Sequence, residues 1–96
     1  MIRHAALFRL THAAGSPQEA SFLTALAALH TIPGVADFRI SREISPKNDI
    51  AFAASMTFVD QAAYTAYDQH PDHIAFVQTR WLPEVAAFME HDTTPL

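Results

Sequence analysis

The stretch Ile50–Val59 constrains the fold of this chain more than any other. Its residues alternate with the two-residue period of a strand, placing Ile50, Phe52, Ala54, Met56 and Phe58 on one face. The other face carries Ala51, Ala53, Ser55, Thr57 and Val59, which are small and uncharged. Neither face is built for water. Such a strand belongs inside a sheet, and if helices cover only one side, something else must cover the other.

The remaining segments supply the sheet and its helices. Ile2–Leu10 reads as a strand in which Ile2, Ala6, Phe8 and Leu10 share a face with His4. Ser16-Pro17-Gln18-Glu19 starts a helix, with Ser16 as N-cap, Pro17 at the first helical position and Glu19 closing a capping box. Phe22, Ala25, Leu26 and Leu29 follow at helical spacing, and Pro33-Gly34 ends the segment. Val35–Ile44 forms a second strand, joined to the third by the turn Ser45-Pro46-Lys47-Asn48-Asp49. Asp60 caps a helix carrying Ala63, Tyr64, Ala66 and Tyr67, which Pro71 breaks. A further helix is expected over Pro71–Arg80, with Ile74, Val77 and Trp81 on its apolar side and Pro83 ending it, before a last strand over Val85–His91.

The order is β-α-β-β-α-β over one domain, residues 1–96, which predicts an α+β, ferredoxin-like subunit with a four-stranded antiparallel sheet. Both helices of that arrangement lie on one side of the sheet. The bare side of the third strand therefore predicts a homodimer in which a second copy covers it.

Composition narrows the partners. A formal charge of −4 and six scattered Lys and Arg leave no basic stripe for nucleic acid. No stretch approaches the length of a membrane span, and the amino terminus lacks the apolar core of a signal peptide, so a cytoplasmic protein is expected. Cysteine is absent, and with it thiolate ligands and a thiol nucleophile. Gly15 and Gly34 are the only glycines, too few for a phosphate-binding loop.

Six histidines are the compositional oddity. Tyr67-Asp68-Gln69-His70-Pro71-Asp72-His73 is the densest run of polar function, and Pro71 places His70 at the start of the last helix and His73 in its first turn. A neutral imidazole can serve as a general base, and the Tyr67 hydroxyl as a donor beside it. His4 sits on an apolar strand face and should be buried. The plain alternatives are a helix-capping His70, a core Tyr67 and a His4 that only packs. His-x-x-His with Asp72 between lacks the third ligand of a zinc site.

Several of these residues occur together in a known pattern. Ile2-Arg3-His4, Leu7-Phe8-Arg9-Leu10, Ile32-Pro33-Gly34-Val35, Ser45-Pro46-Lys47-Asn48, Phe58, the His70-Pro71-Asp72-His73 motif, Phe76-Val77 and Trp81-Leu82-Pro83 run in order along almost the whole chain. In this the chain resembles the stress-responsive α/β barrel (Dabb) family. The resemblance implies a dimeric α/β barrel, and in a few plant members a polyketide cyclase working by acid–base chemistry. In those cyclases the second histidine of the motif is the base, assisted by the tyrosine six residues before it and by the histidine of the first strand. The matching positions are His73, Tyr67 and His4. The pattern departs at Ala25, where the cyclases have a further pocket tyrosine. The resemblance also implies, in some members, a magnesium ion on backbone carbonyls, which would be those of Leu29, Ile32 and Val35.

These readings predict a small-molecule site inside each half of the barrel, with His73 as base, Tyr67 as donor and His4 orienting a carbonyl compound. No cofactor is required by this chemistry. Two rival functions share the fold: a non-catalytic, stress-associated binding or structural dimer, and a cofactor-free monooxygenase or haem-handling enzyme.

Overall fold

Strand β1 (Ile2–Leu10) takes an inner place in the sheet, antiparallel to β3 (Phe52–Phe58) on one side and to β4 (Val85–Thr93) on the other. Strand β2 (Ala36–Arg42) pairs antiparallel with β3 at the far edge, giving the order β2-β3-β1-β4. This is the ferredoxin-like topology, seen in a computed structural model that describes residues 1–96. Helix α1 (Pro17–Ala27), extended by a 3₁₀ turn over Ala28–Thr31, connects β1 to β2. Helix α2 (Gln61–Gln69), α3 (Pro71–Phe76), a π-helical stretch (Val77–Trp81) and the short α4 (Leu82–Glu84) connect β3 to β4.

The alternation of β1 and β3 decides where the core lies. His4, Ala6 and Phe8 pair across to Met56, Ala54 and Phe52, and all six are buried on the side that the helices cover. Phe8 is the hub: its ring lies 5.8 Å from Phe22 of α1 and 5.0 Å from Trp81, while Phe22 lies 5.5 Å from Phe76. Removing a ring such as that of Phe8 or Phe22, both fully buried, costs about 3–5 kcal/mol. On the opposite side, Leu7 pairs with Ala53 of β3 and Met89 of β4, and Met89 is 56% exposed. That apolar strip has no cover within the chain.

Several boundaries differ from the sequence expectation, each for a local reason. Strands β2 and β3 are shorter than Val35–Ile44 and Ile50–Val59, and Ile44 and Val59 are largely exposed. Within β2, Asp37 adopts φ 50°, where the pairing with β3 shifts register. Aspartate tolerates that conformation, and its carboxylate accepts from Arg39 Nε at 3.0 Å. Ser16 caps α1 as expected, accepting from Glu19 N at 3.2 Å. Glu19 reaches the Gly15 N–H at 3.2 Å instead of closing the box on Ser16, whose own N–H already donates to Ala13 O.

Pro83 does not end the last helix. The chain stays helical to Glu84 because the Leu82 N–H donates to Val77 O, five residues back, and this wider turn accommodates a residue with no N–H to give. The apolar side of the segment also differs from expectation. Phe76 is the buried residue of this segment, while Ile74 is 43% exposed.

Candidate active site

The break between α2 and α3 builds one half of the site. Pro71 has no N–H for the α2 ladder, and the residue before it, His70, is held extended (φ −64°, ψ 135°). His70 N donates to Tyr67 O, and the His70 Nδ1 accepts from Asp72 N at 3.1 Å, so His70 caps α3. Asp72 N would have been the helical partner of Asp68 O, and its diversion leaves that carbonyl open. His73 Nδ1 fills the vacancy at 3.1 Å. A carbonyl only accepts, so Nδ1 carries the proton and Nε2 keeps its lone pair. The His73 ring packs 4.4 Å from that of Tyr67 in the last turn of α2.

Strand register builds the other half. His4 of β1 lies directly opposite Asp92 of β4, and its Nδ1 meets Asp92 Oδ1 at 2.6 Å. Tyr64 of α2 joins them, its hydroxyl 2.8 Å from His4 Nδ1 and 2.9 Å from Asp92 Oδ2. The carboxylate accepts from both, which places the proton of neutral His4 on Nδ1 and again leaves Nε2 free. Burial, reinforced by Asp92, pushes the Tyr64 hydroxyl well above the usual phenol range. Burial does the same to Tyr67, with the charges of Asp68 and Glu90 adding to it. Both phenols therefore stay protonated as donors.

His4, Tyr67 and His73 line one cavity of about 300 Å³, walled largely by apolar side chains including Leu26, Phe76 and Trp81. Neither free Nε2 nor the Tyr67 hydroxyl has a protein partner. The only enclosed side-chain polar atom that makes no hydrogen bond is Arg9 Nε, which faces Asp49 as an ion pair, so these three groups are not sealed off from open space.

The location corrects the expectation of a site inside the barrel half. The cavity lies between the sheet and the helices of one chain, on the side opposite the bare strip around Leu7. Asp92 and Tyr64 were missed in the sequence. Ending the last strand at His91 left Asp92 just outside it, and Tyr64 reads as an ordinary core aromatic.

The other histidines are engaged elsewhere. His12 Nε2 lies 2.7 Å from Glu84, which Arg80 also holds at 2.6 Å. His91 Nε2 meets the sulfur of Met89 at 3.2 Å, and the His30 ring lies 6.4 Å from Phe38. The carbonyls of Leu29 and Ile32, two of the three implied for magnesium with that of Val35, already accept from Ile32 N and Val35 N at 3.1 and 3.2 Å. Among His, Cys, Asp and Glu side chains, no group of three or more is placed to hold a metal ion.

The family model of the stress-responsive A/B barrel domain, Dabb, matches residues 2–95. The chain belongs to the Dabb family. A crystal structure of a Dabb protein with a ferredoxin-like fold from Mesorhizobium loti is 53% identical, covers 99% of this chain and 96% of its own, and superposes with a TM-score of 0.96. A protein from Thermobifida fusca, described as dimeric, ferredoxin-like and of unknown function, is 26% identical with a TM-score of 0.80, covering 98% of this chain and 90% of its own. A hydroxynitrile lyase from Passiflora edulis, 16% identical, shares the fold at a TM-score of 0.83, with 98% and 96% covered. No curated protein matches. The ferredoxin-like Dabb fold is thus the frame, and no helix in it is long and apolar enough to cross a membrane.

Proposed function

We propose that this Dabb protein is a dimer whose subunits each catalyse proton transfer next to a carbonyl in the cavity between sheet and helices. The observation that carries the reading is that His73, fixed through Nδ1 on Asp68 O with Nε2 free, lines the same cavity as Tyr67, whose hydroxyl has no partner. His73 Nε2 takes a proton from the carbon beside the carbonyl as that C–H bond breaks. The electron pair moves onto the carbonyl oxygen, where the Tyr67 O–H donates a hydrogen bond to the growing charge. His4, anchored by Asp92 and Tyr64, accepts from a substrate hydroxyl or enol and holds the carbonyl in line. Return of the proton from His73 to a different carbon gives isomerisation; where the enolate carbon instead bonds to a second carbonyl carbon of the same molecule, the π pair of that carbonyl moves to its oxygen, which takes the proton, and an aldol-type ring closes.

The dimer is supported by the uncovered strip around Leu7, Ala53 and Met89 and by the dimeric description of the Thermobifida fusca relative. Deuterium exchange at the carbon beside the carbonyl of a small aryl ketone, followed by NMR, tests the chemistry without the natural substrate. The native protein should accelerate exchange, and His73→Ala or Tyr67→Phe should each slow it by about 10²-fold or more. An unchanged rate in His73→Ala would end the proposal. The rival reading, a binding dimer without catalysis, draws on a cavity at the small end of the range for ligand pockets. It requires that the native protein give no acceleration at all.

A further inference from the structure

The charge around the cavity selects the kind of carbonyl compound it can admit. Not one of the six basic residues lines it. Arg3 and Arg39 are held by Asp37, and Arg9 lies against Asp49. Arg42 stacks on Phe52, its guanidinium carbon 5.2 Å from the ring centre, Lys47 sits in the β2–β3 turn, and Arg80 is bound to Glu84 and Ser21. Carboxylates stand beside it instead. Glu90 lines the cavity, makes no ion pair, and also borders a neighbouring polar groove with Asp68 and Asp92. An anionic ligand would have to leave water with no cation to meet it, and would approach three negative charges. A cationic ligand gains only these exposed, water-screened carboxylates, while losing its own hydration to apolar walls.

Resting on the proposed reading of this site, we infer that the substrate is a small uncharged carbonyl compound, free rather than carried on a polyanionic group such as a coenzyme A thioester. A thioester of that kind would lay its phosphates over the groove of Asp68, Glu90 and Asp92. The volume of about 300 Å³ suits a single ring or a short branched chain with its carbonyl.

Three probes of one shape test this: acetophenone, 4-acetylbenzoate and (4-acetylphenyl)trimethylammonium. Binding is followed through the indole N–H signal of Trp81, which lines the cavity and is the only tryptophan. Acetophenone should bind most tightly, with 4-acetylbenzoate weaker by on the order of tenfold. Glu90→Gln, an exposed change, should raise the affinity for the benzoate several-fold relative to that for acetophenone. Equal or tighter binding of the benzoate, or tighter binding of the ammonium, would overturn the assignment. If none of the three shifts Trp81, the ligand cavity itself is wrong and the substrate class falls with it.

Discussion

His4 and His73 reach the cavity from opposite elements, a strand and a helix, yet carry the same tautomer for the same reason. Each gives its Nδ1 proton to an acceptor that cannot donate, a carboxylate for one and a main-chain carbonyl for the other. Nitrogen-15 spectra of the neutral imidazoles should therefore show the Nδ1–H tautomer for both. In Asp92→Asn the His4 ring loses its fixed acceptor and should sample both tautomers, while His73 stays as it was. An unchanged His4 pattern would show that Asp92 does not hold it. That Tyr67 and His73 stand together was legible from the sequence, because a proline-bounded motif marks a local turn of chain, and the burial of His4 from its apolar strand face. Asp92 was not, because its partnership with His4 spans 88 positions and exists only through strand register.

Among the elements, the corner between α2 and α3 matters most to the site. Pro71→Ala restores an N–H for Tyr67 O and lets His70 turn helical, so that Asp72 N can pair with Asp68 O. Helix content should hold, but His73 should lose its fixed tautomer and exchange should slow by about tenfold or more. A variant that keeps the native His73 pattern would remove Pro71 from the account. The other end of this segment is held by charge. The Arg80 hydrogen bond, with His12 adding to it, keeps the Glu84 carboxyl below its ordinary value of 4.5. A carboxyl lowered by folding stabilises the fold above its unfolded value, and the contribution fades as pH falls through the folded value. Glu84→Gln should thus cost about 1 kcal/mol near neutral pH, and the gap from the native protein should close in acid below the unfolded value. A gap that stays constant through that range would assign the loss to packing. Helix starts were legible from Ser16, Asp60 and Pro71; the course through Pro83 was not, since a π-turn leaves no mark on a single sequence.

At the scale of the molecule, the two-sided third strand led directly to the sheet order and to an uncovered face. It did not reveal which face held the chemistry, because Phe52, Ala54 and Met56 read as plain core until His4 and Tyr67 are placed beside them. Sedimentation should give about twice the 10.6 kDa of one chain at micromolar concentration. Leu7→Glu, on the bare strip, should release monomers that keep the cavity and its Trp81 signal. A native monomer would contradict the assembly, and a Leu7→Glu dimer would place its interface elsewhere.

The alternation of β1 carries one more consequence, for change over generations. Even-numbered positions serve the cavity and the core, odd-numbered ones the exposed strip. Point substitutions can therefore rewrite either surface while sparing the other, and a lineage can trade ligands without renegotiating its oligomer. Loss of a single codon within Ile2–Phe8 has no such freedom. It would put the residues on the two sides of the gap out of phase, so that His4 and Phe8 could no longer share a face, or force a kink to absorb the slip.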